Sequence, residues 1–287
     1  MQHMQLPDAL ETTGIQVSLP LMLHIVNLTQ QTPLFISIIG AQGSGKSTLT
    51  HFLQQLIEVE TPLRVANISL DDFYATRRQR EILSKSIHPL LKTRGVPGTH
   101  ELELMQSTLF SLLQGKASRI PRFDKAMDDR LAEEQWTEQP AVDIVLFEGW
   151  CNHSPAQSAA ELVQPINQLE AEEDKDGSWR HDANQHLKLD HEKIFSHADL
   201  CIMLKAADFE HVYQWRCLQE HKLRNSHSGH DKQRTMSDAQ LARFIQHYER
   251  ISRHSLKHLP QLADIVIPVN PDHSINQLIM QKDFIND

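Results

Sequence analysis

Cysteine is scarce in this sequence, with three in 287 residues. Cys151, Cys201 and Cys217 are odd in number, scattered and without C-x-x-C spacing. Neither a disulfide framework nor a zinc site is expected of them, and they read as reduced thiols. Positive charge is absent from the opening stretch, where Lys46 is the first Lys or Arg. A secretory signal needs a basic start and a transit peptide needs arginines, so the expected location is cytoplasmic. No uncharged apolar run approaches the roughly 18 residues that span a bilayer. With 28 basic residues against 37 acidic ones, the formal charge of −9 argues against a general nucleic-acid binder. The expected partner is therefore a small molecule, with no nucleic acid and no membrane; the oligomeric state stays open.

What remains is an ordinary globular composition, 40% apolar and 23% charged, in a chain long enough to bury one substantial core. Eighteen histidines invite a metal reading. His254 and His258 share a helix face at i and i+4. The H-E-x-x-H logic fails there, because Ser255 stands where the acid would be, and the pair reads as a solvated face.

Five apolar runs predict strands: Leu34–Ile39, Leu63–Ile68, Val142–Phe147, Leu200–Leu204 and Ile265–Val269. Most are continuous rather than alternating, as parallel strands covered on both faces require. Helical patterns over Ser47–Glu58, Glu101–Leu113, Phe209–Arg224 and Asp238–His258 lie between or after them. This alternation predicts an α/β fold, a doubly wound parallel five-stranded sheet with helices on both faces. Ligands in such sheets bind beyond the carboxyl ends of the strands. Two insertions interrupt the pattern. One follows the second strand, over 77–130. The other, over 165–195, is acidic: Glu170 to Glu192 holds eight acidic and three basic residues. Residues 1–33 form an N-terminal extension, and one domain over 1–287 is the simplest account.

Gly40, Gly45, Lys46 and Ser47 satisfy G-x-x-x-x-G-K-S/T between a predicted strand and a predicted helix. Gly40, Ala41, Gln42, Gly43, Ser44, Gly45, Lys46, Ser47 and Thr48 are thus the candidate nucleotide-binding residues. In such a loop the backbone N–H groups curl around a phosphate, helped by the helix N-terminus behind them. Lys46 reaches the β- and γ-oxygens and the Ser47 hydroxyl ligates Mg²⁺. The loop therefore implies a nucleotide held by its phosphates together with Mg²⁺. No Asn-Lys-x-Asp motif of a GTPase and no Leu-Ser-Gly-Gly-Gln motif of an ABC-type ATPase occurs.

Glu148 closes the third apolar run, in "VLFEGW", and is the candidate for ordering Mg²⁺ or its water, or else a strand-end surface acid. Asp143 lies at the opposite end of that strand. The second run ends in "SLDDFY", which brings Asp71 and Asp72 to the lip of the crevice. A hydroxyl attacking a γ-phosphate loses its proton, and a nearby carboxylate can take it. The same two acids could instead cap a helix starting near Thr76.

In order, "GAQGSGKST", "SLDDFY", "RGVPGTHELEL", "IPRFDKA", "FEGW", "WRCLQE" and "MSDAQLARFIQHYE" resemble the glycerate 3-kinases of the phosphoribulokinase/uridine kinase superfamily. The likeness runs from about Leu34 to Asn270 and includes the acidic insertion. It implies a P-loop kinase fold with substrate and lid insertions, and transfer of the ATP γ-phosphate to a hydroxyl of D-glycerate or a similar hydroxy acid. Pantothenate- or nucleoside-type phosphorylation, or a non-catalytic ATP-binding regulator, are the alternatives. The resemblance makes Asp71 the base, with Lys46, Glu148 and Arg216 as further catalytic residues and Ser47, Asp71 and Glu148 as metal ligands. Residues 209–258 become the lid and following helix, opened by Trp215 and Arg216, with Arg224 a second lid candidate. On sequence alone Arg216 could pair with Glu220 at i+4. The end of the last run, "IPVNPDHS", is expected near the adenine.

The expected acceptor pocket comprises Tyr74, Arg94, His100, Arg122, Asp124 and Lys125. Lys92 to Arg130 carries seven basic residues against five acidic ones in an otherwise acidic chain. Arg94 or Arg122 is expected to grip a substrate carboxylate, since a planar guanidinium suits bidentate capture. One departure from the family pattern stands out: Gly-Thr-His-Asp is here Gly-Thr-His-Glu, with Glu101 after His100.

Overall fold

The computed structural model describes residues 8–29, 33–226, 236–275 and 277–280. Its centre is a sheet of β1 (Leu34–Gly40), β2 (Val65–Ser69), β3 (Ile144–Gly149), β4 (Leu200–Ala206), β5 (Ile265–Val269) and β6 (Ile279–Met280). Across the sheet the order is β6-β5-β4-β1-β3-β2. The first five strands pair in parallel, as their mostly continuous apolar runs predict. The five expected parallel strands are all present, and the sixth adds an edge to them. It is two residues long and pairs antiparallel with β5, Ile279 opposite Val266.

Alternate side chains of β1 enter different cores. Leu34, Ile36 and Ile38 join a cluster with Val17, Leu21 and Ile25 of α1 (Asp8–Leu28) and Leu53 and Ile57 of α2 (Lys46–Glu60). Phe35 joins the opposite face, with Phe73, Phe147 and Phe195 and with Met105, Leu109 and Leu112 of α4 (Leu102–Leu113), the helix that follows α3 (Arg77–Ser86). Helices therefore cover both faces. The N-terminal extension contributes α1, whose residues Leu21 and Ile25 are fully buried at i and i+4.

Two later helices frame the site, α5 (Phe209–Ser226) and α6 (Asp238–His258). A capping box at Ser237 and Gln240 starts α6, which is why its boundary is sharp. Thr76 and Gln79 do the same for α3, so Asp71 and Asp72 are not its caps. Residues 227–235 of the expected lid, and the side chain of Arg224, lie outside the described residues. Among the described residues no helix is long and apolar enough to cross a membrane.

The acidic insertion is fastened to α6. Glu170 is fully buried, and both its oxygens accept from Arg250 at 2.6 and 2.7 Å. Arg180 likewise pairs with buried Asp174 at 2.8 Å. Each buried charge has a partner, as burial demands.

Candidate active site

The carboxyl ends of β1, β2 and β3 converge on one cavity of about 230 Å³. Its floor is the loop between β1 and α2. Gly43 and Gly45 take φ values of +84° and +92°, which side chains with a Cβ rarely adopt. Gly45 is the N-cap of α2, and no side chain caps that helix. The N–H groups of its first turn are left for an anion, and the helix dipole favours one. The Ser44 hydroxyl is buried there with no hydrogen-bond partner. Lys46 folds back so that its ammonium donates to the Ala41 carbonyl at 3.1 Å. Burial pulls its pKa below the ordinary value, while Glu148 and Asp71 push it back up. Gln42, Gly43, Lys46 and Ser47 line the cavity; Gly40 ends β1 beneath it, and Thr48 lies behind in the helix.

Sheet register aligns the acids with their hydroxyl partners. Glu148 pairs with Ser69 between β3 and β2. Its Oε1 accepts from the Ser69 hydroxyl at 3.0 Å and from the Ser47 hydroxyl at 2.8 Å. The chain then turns in a single 3₁₀ turn, Leu70–Phe73, which projects Asp71 into the cavity and Asp72 away from it. Asp71 Oδ1 accepts from the Tyr74 hydroxyl and Oδ2 from the Lys125 ammonium, both at 2.5 Å. Burial raises the Asp71 pKa, but the Lys125 charge and these two hydrogen bonds outweigh it and leave the carboxyl below its ordinary range.

Asp72 is spent differently. It accepts from Arg122 at 2.7 Å and from the Phe123 amide at 3.3 Å. Burial raises its pKa against the opposing Arg122 charge. Arg122 also donates to the Thr137 hydroxyl and does not line the cavity. Arg94 does. Its backbone carbonyl accepts from the Tyr248 hydroxyl at 2.8 Å, its guanidinium lies 5.5 Å from the Phe123 ring centre, and it pairs with Asp128. Of the expected acceptor residues, Tyr74, Arg94 and Lys125 are brought together; Arg122, His100 and Asp124 stand outside. Asp124 caps a turn by accepting from the Ala126 and Met127 amides. His100 is buried behind Tyr74, ring centres 5.2 Å apart, and burial holds its pKa near 4, so it is neutral. Glu101 faces Arg130 at 2.5 Å, outside the cavity.

Arg216 enters from α5 and donates to Gln219 at 2.8 Å, not to Glu220. Glu220 instead accepts from the Met236 amide. Trp215 anchors that turn: it is buried, donates to the Pro271 carbonyl at 2.8 Å and stacks on His273 at 4.7 Å. The segment expected near the adenine thus abuts the turn of α5 that carries Arg216. The lining carries four basic side chains, Lys46, Arg94, Lys125 and Arg216, against the acids Asp71 and Glu148. In a chain of net charge −9, that local reversal makes the cavity a receptor for anions.

Residues 35–162 match the phosphoribulokinase/uridine kinase family. An uncharacterised kinase of Schizosaccharomyces pombe is 32% identical over 228 residues, covering 75% of this chain and 78% of that one. The chain belongs to the phosphoribulokinase/uridine kinase family. The chloroplastic D-glycerate 3-kinase of Arabidopsis thaliana is 31% identical over 229 residues, 75% of this chain but 46% of that protein. Among solved structures, D-glycerate 3-kinase from Cryptococcus neoformans aligns at TM-score 0.73 and 26% identity, over 95% of this chain and 98% of that one. The molecule is therefore a P-loop kinase, a phosphotransferase that uses ATP.

Five residues that line the kinase's cavity were not singled out from sequence: Gly149, Trp150, Gln219, Phe244 and Tyr248. Phe244 and Tyr248 stand at i and i+4 on α6, and that spacing is the signal that could have found them.

Proposed function

We propose that this kinase transfers the γ-phosphate of ATP to a hydroxyl of D-glycerate, or of a closely similar hydroxy acid, giving 3-phosphoglycerate. The observation that carries the reading is the shared cavity of Lys46, Asp71, Arg94 and Lys125. The nucleotide phosphates lie along the N–H groups of the Gly40–Thr48 loop, with Lys46 at the β- and γ-oxygens and Arg216 countering charge from the lid side. The acceptor enters from the side of Tyr74. Asp71 takes the proton from its attacking hydroxyl, and its low pKa keeps it ionised for that task. Arg94 and Lys125 hold the acid end and the remaining hydroxyls.

The Ser47 hydroxyl and Glu148, already joined at 2.8 Å, form the oxygen donor set that would hold Mg²⁺. An ion held by these residues would supply charge neutralisation for the phosphates. Asp71 is less suited to ligation than the sequence expectation had it, since both its oxygens already accept hydrogen bonds. Its part is the proton.

ADP release measured over D-glycerate, pantothenate, uridine and ribulose 5-phosphate tests the reading. D-glycerate is expected to give the highest kcat/KM. A higher value for any of the other three reassigns the acceptor.

A further inference from the structure

The sequence offers His254 and His258 at helical spacing with no acid between them, and the fold supplies the acid from elsewhere. Glu161, in the loop that follows β3, comes to α6, where its Oε1 lies 3.7 Å from His254 Nδ1. One ligating atom from each of Glu161, His254 and His258 falls within 4.8 Å of the other two. We propose that these three residues form a binding site for a divalent transition-metal ion of the zinc type.

Three observations carry it. First, the histidines are not the solvated face expected of them: the His254 side chain is 11% exposed, and the buried Nε2 of His258 has no hydrogen-bond partner. The two rings stand 4.4 Å apart, centre to centre.

Second, the carboxylate is held in place. The Ser158 amide and hydroxyl both donate to Glu161 Oε2, at 2.8 and 2.7 Å, leaving Oε1 turned to the histidines. This is the outer hydrogen bonding that orients carboxylate ligands. Third, the loop that carries Glu161 is fixed. Arg250 donates to the Glu161 and Gln164 carbonyls at 3.0 and 2.7 Å, and Arg180 donates to the Leu162 carbonyl at 2.7 Å. The Arg250 charge is itself balanced by Glu170, so it does not repel an incoming cation strongly.

Two imidazoles and one carboxylate suit zinc, which takes nitrogen and oxygen ligands at about 2.0–2.2 Å and keeps its donors about 3.4 Å apart in a tetrahedron. Closing from 4.8 Å to that spacing takes modest turns of the rings. Water completes the shell on the side where Glu161 is exposed. The ion would cross-link the loop after β3 to α6, the helix that presents Phe244 and Tyr248 to the cavity.

The test uses the full chain without an affinity tag, treated with a chelator and titrated with zinc chloride by calorimetry. Cobalt chloride serves as a spectroscopic probe. One zinc per chain is expected, together with the intense visible bands of four-coordinate cobalt. Glu161→Gln, on an exposed side chain, should weaken zinc at least about tenfold, and His254→Gln with His258→Gln should abolish both signals. Thermal unfolding without metal establishes that each variant is folded. Absence of stoichiometric zinc binding, or binding that survives unchanged in the double variant, overturns the site.

Discussion

The Lys125 ammonium donates to Oδ2 of Asp71 across 2.5 Å, at the carboxylate proposed to take the acceptor's proton. The lysine thereby does two things. It favours the ionised carboxylate, and on the proposed reading it marks the position that the acceptor takes over. Burial alone would raise the Asp71 pKa, and Lys125 is the main influence that reverses the sign.

The acid limb of the rate profile follows from that relationship. Asp71 acts as a base only when ionised, so kcat falls as pH drops through its pKa in the complex. Lys125→Met removes the lowering influence and leaves the desolvation, so the limb moves to higher pH. A kcat–pH profile of both proteins measures it, and an unmoved limb means that Asp71 is not the group that titrates.

Asp71→Asn keeps size and polarity but cannot take a proton. Its kcat is expected to fall about 10²- to 10⁴-fold. Asp72→Asn should change kcat far less and lower the unfolding midpoint instead, because Arg122 and the Phe123 amide lose their charged acceptor. Steady-state kinetics and thermal unfolding of the two variants separate the roles; the reverse order of kcat losses makes Asp72 the base.

Lys46→Ala should abolish turnover while the fold survives. The ammonium is desolvated, and its one hydrogen bond is to the Ala41 carbonyl of its own loop, so the fold does not depend on it. Retention of wild-type kcat would contradict the phosphate-binding role.

The sheet was legible because most of its five parallel strands are continuous apolar runs, and observed and expected ends agree closely. The two-residue β6 was not: a segment that short carries no period, and its pairing with β5 depends on the fold. The helix caps at Ser237 and Thr76 are local chemistry, and the expected Asp238–His258 coincides with α6. Charge partners are the opposite case. Arg94 and Arg122 look equivalent in sequence, yet the 3₁₀ turn after β2 delivers Asp72 to Arg122 and leaves Arg94 facing the cavity. Glu101, the departure from the family pattern, faces Arg130 outside the cavity. Long-range pairing of this kind has no sequence period to betray it.

Arg94 and Arg122 therefore part company in their expected kinetics. Arg94→Met should raise the KM for D-glycerate about 10- to 100-fold, the worth of a charged hydrogen bond, with the KM for ATP nearly unchanged. Arg122→Met should leave the KM for D-glycerate near wild type. Initial rates with each substrate varied in turn decide it, and a larger effect at Arg122 would return the carboxylate grip to that residue.

The central claim, a kinase whose acceptor is a small hydroxy acid, is tested most directly by comparing D-glycerate with glycerol. Glycerol keeps both hydroxyls of D-glycerate but has an uncharged CH₂OH group in place of the carboxylate that Arg94 and Lys125 are proposed to hold. ADP release by the wild-type protein in ATP and Mg²⁺ should depend on added D-glycerate, with glycerol a very poor acceptor. Equal kcat/KM for glycerol and D-glycerate, or ADP release that needs no acceptor, would contradict the account.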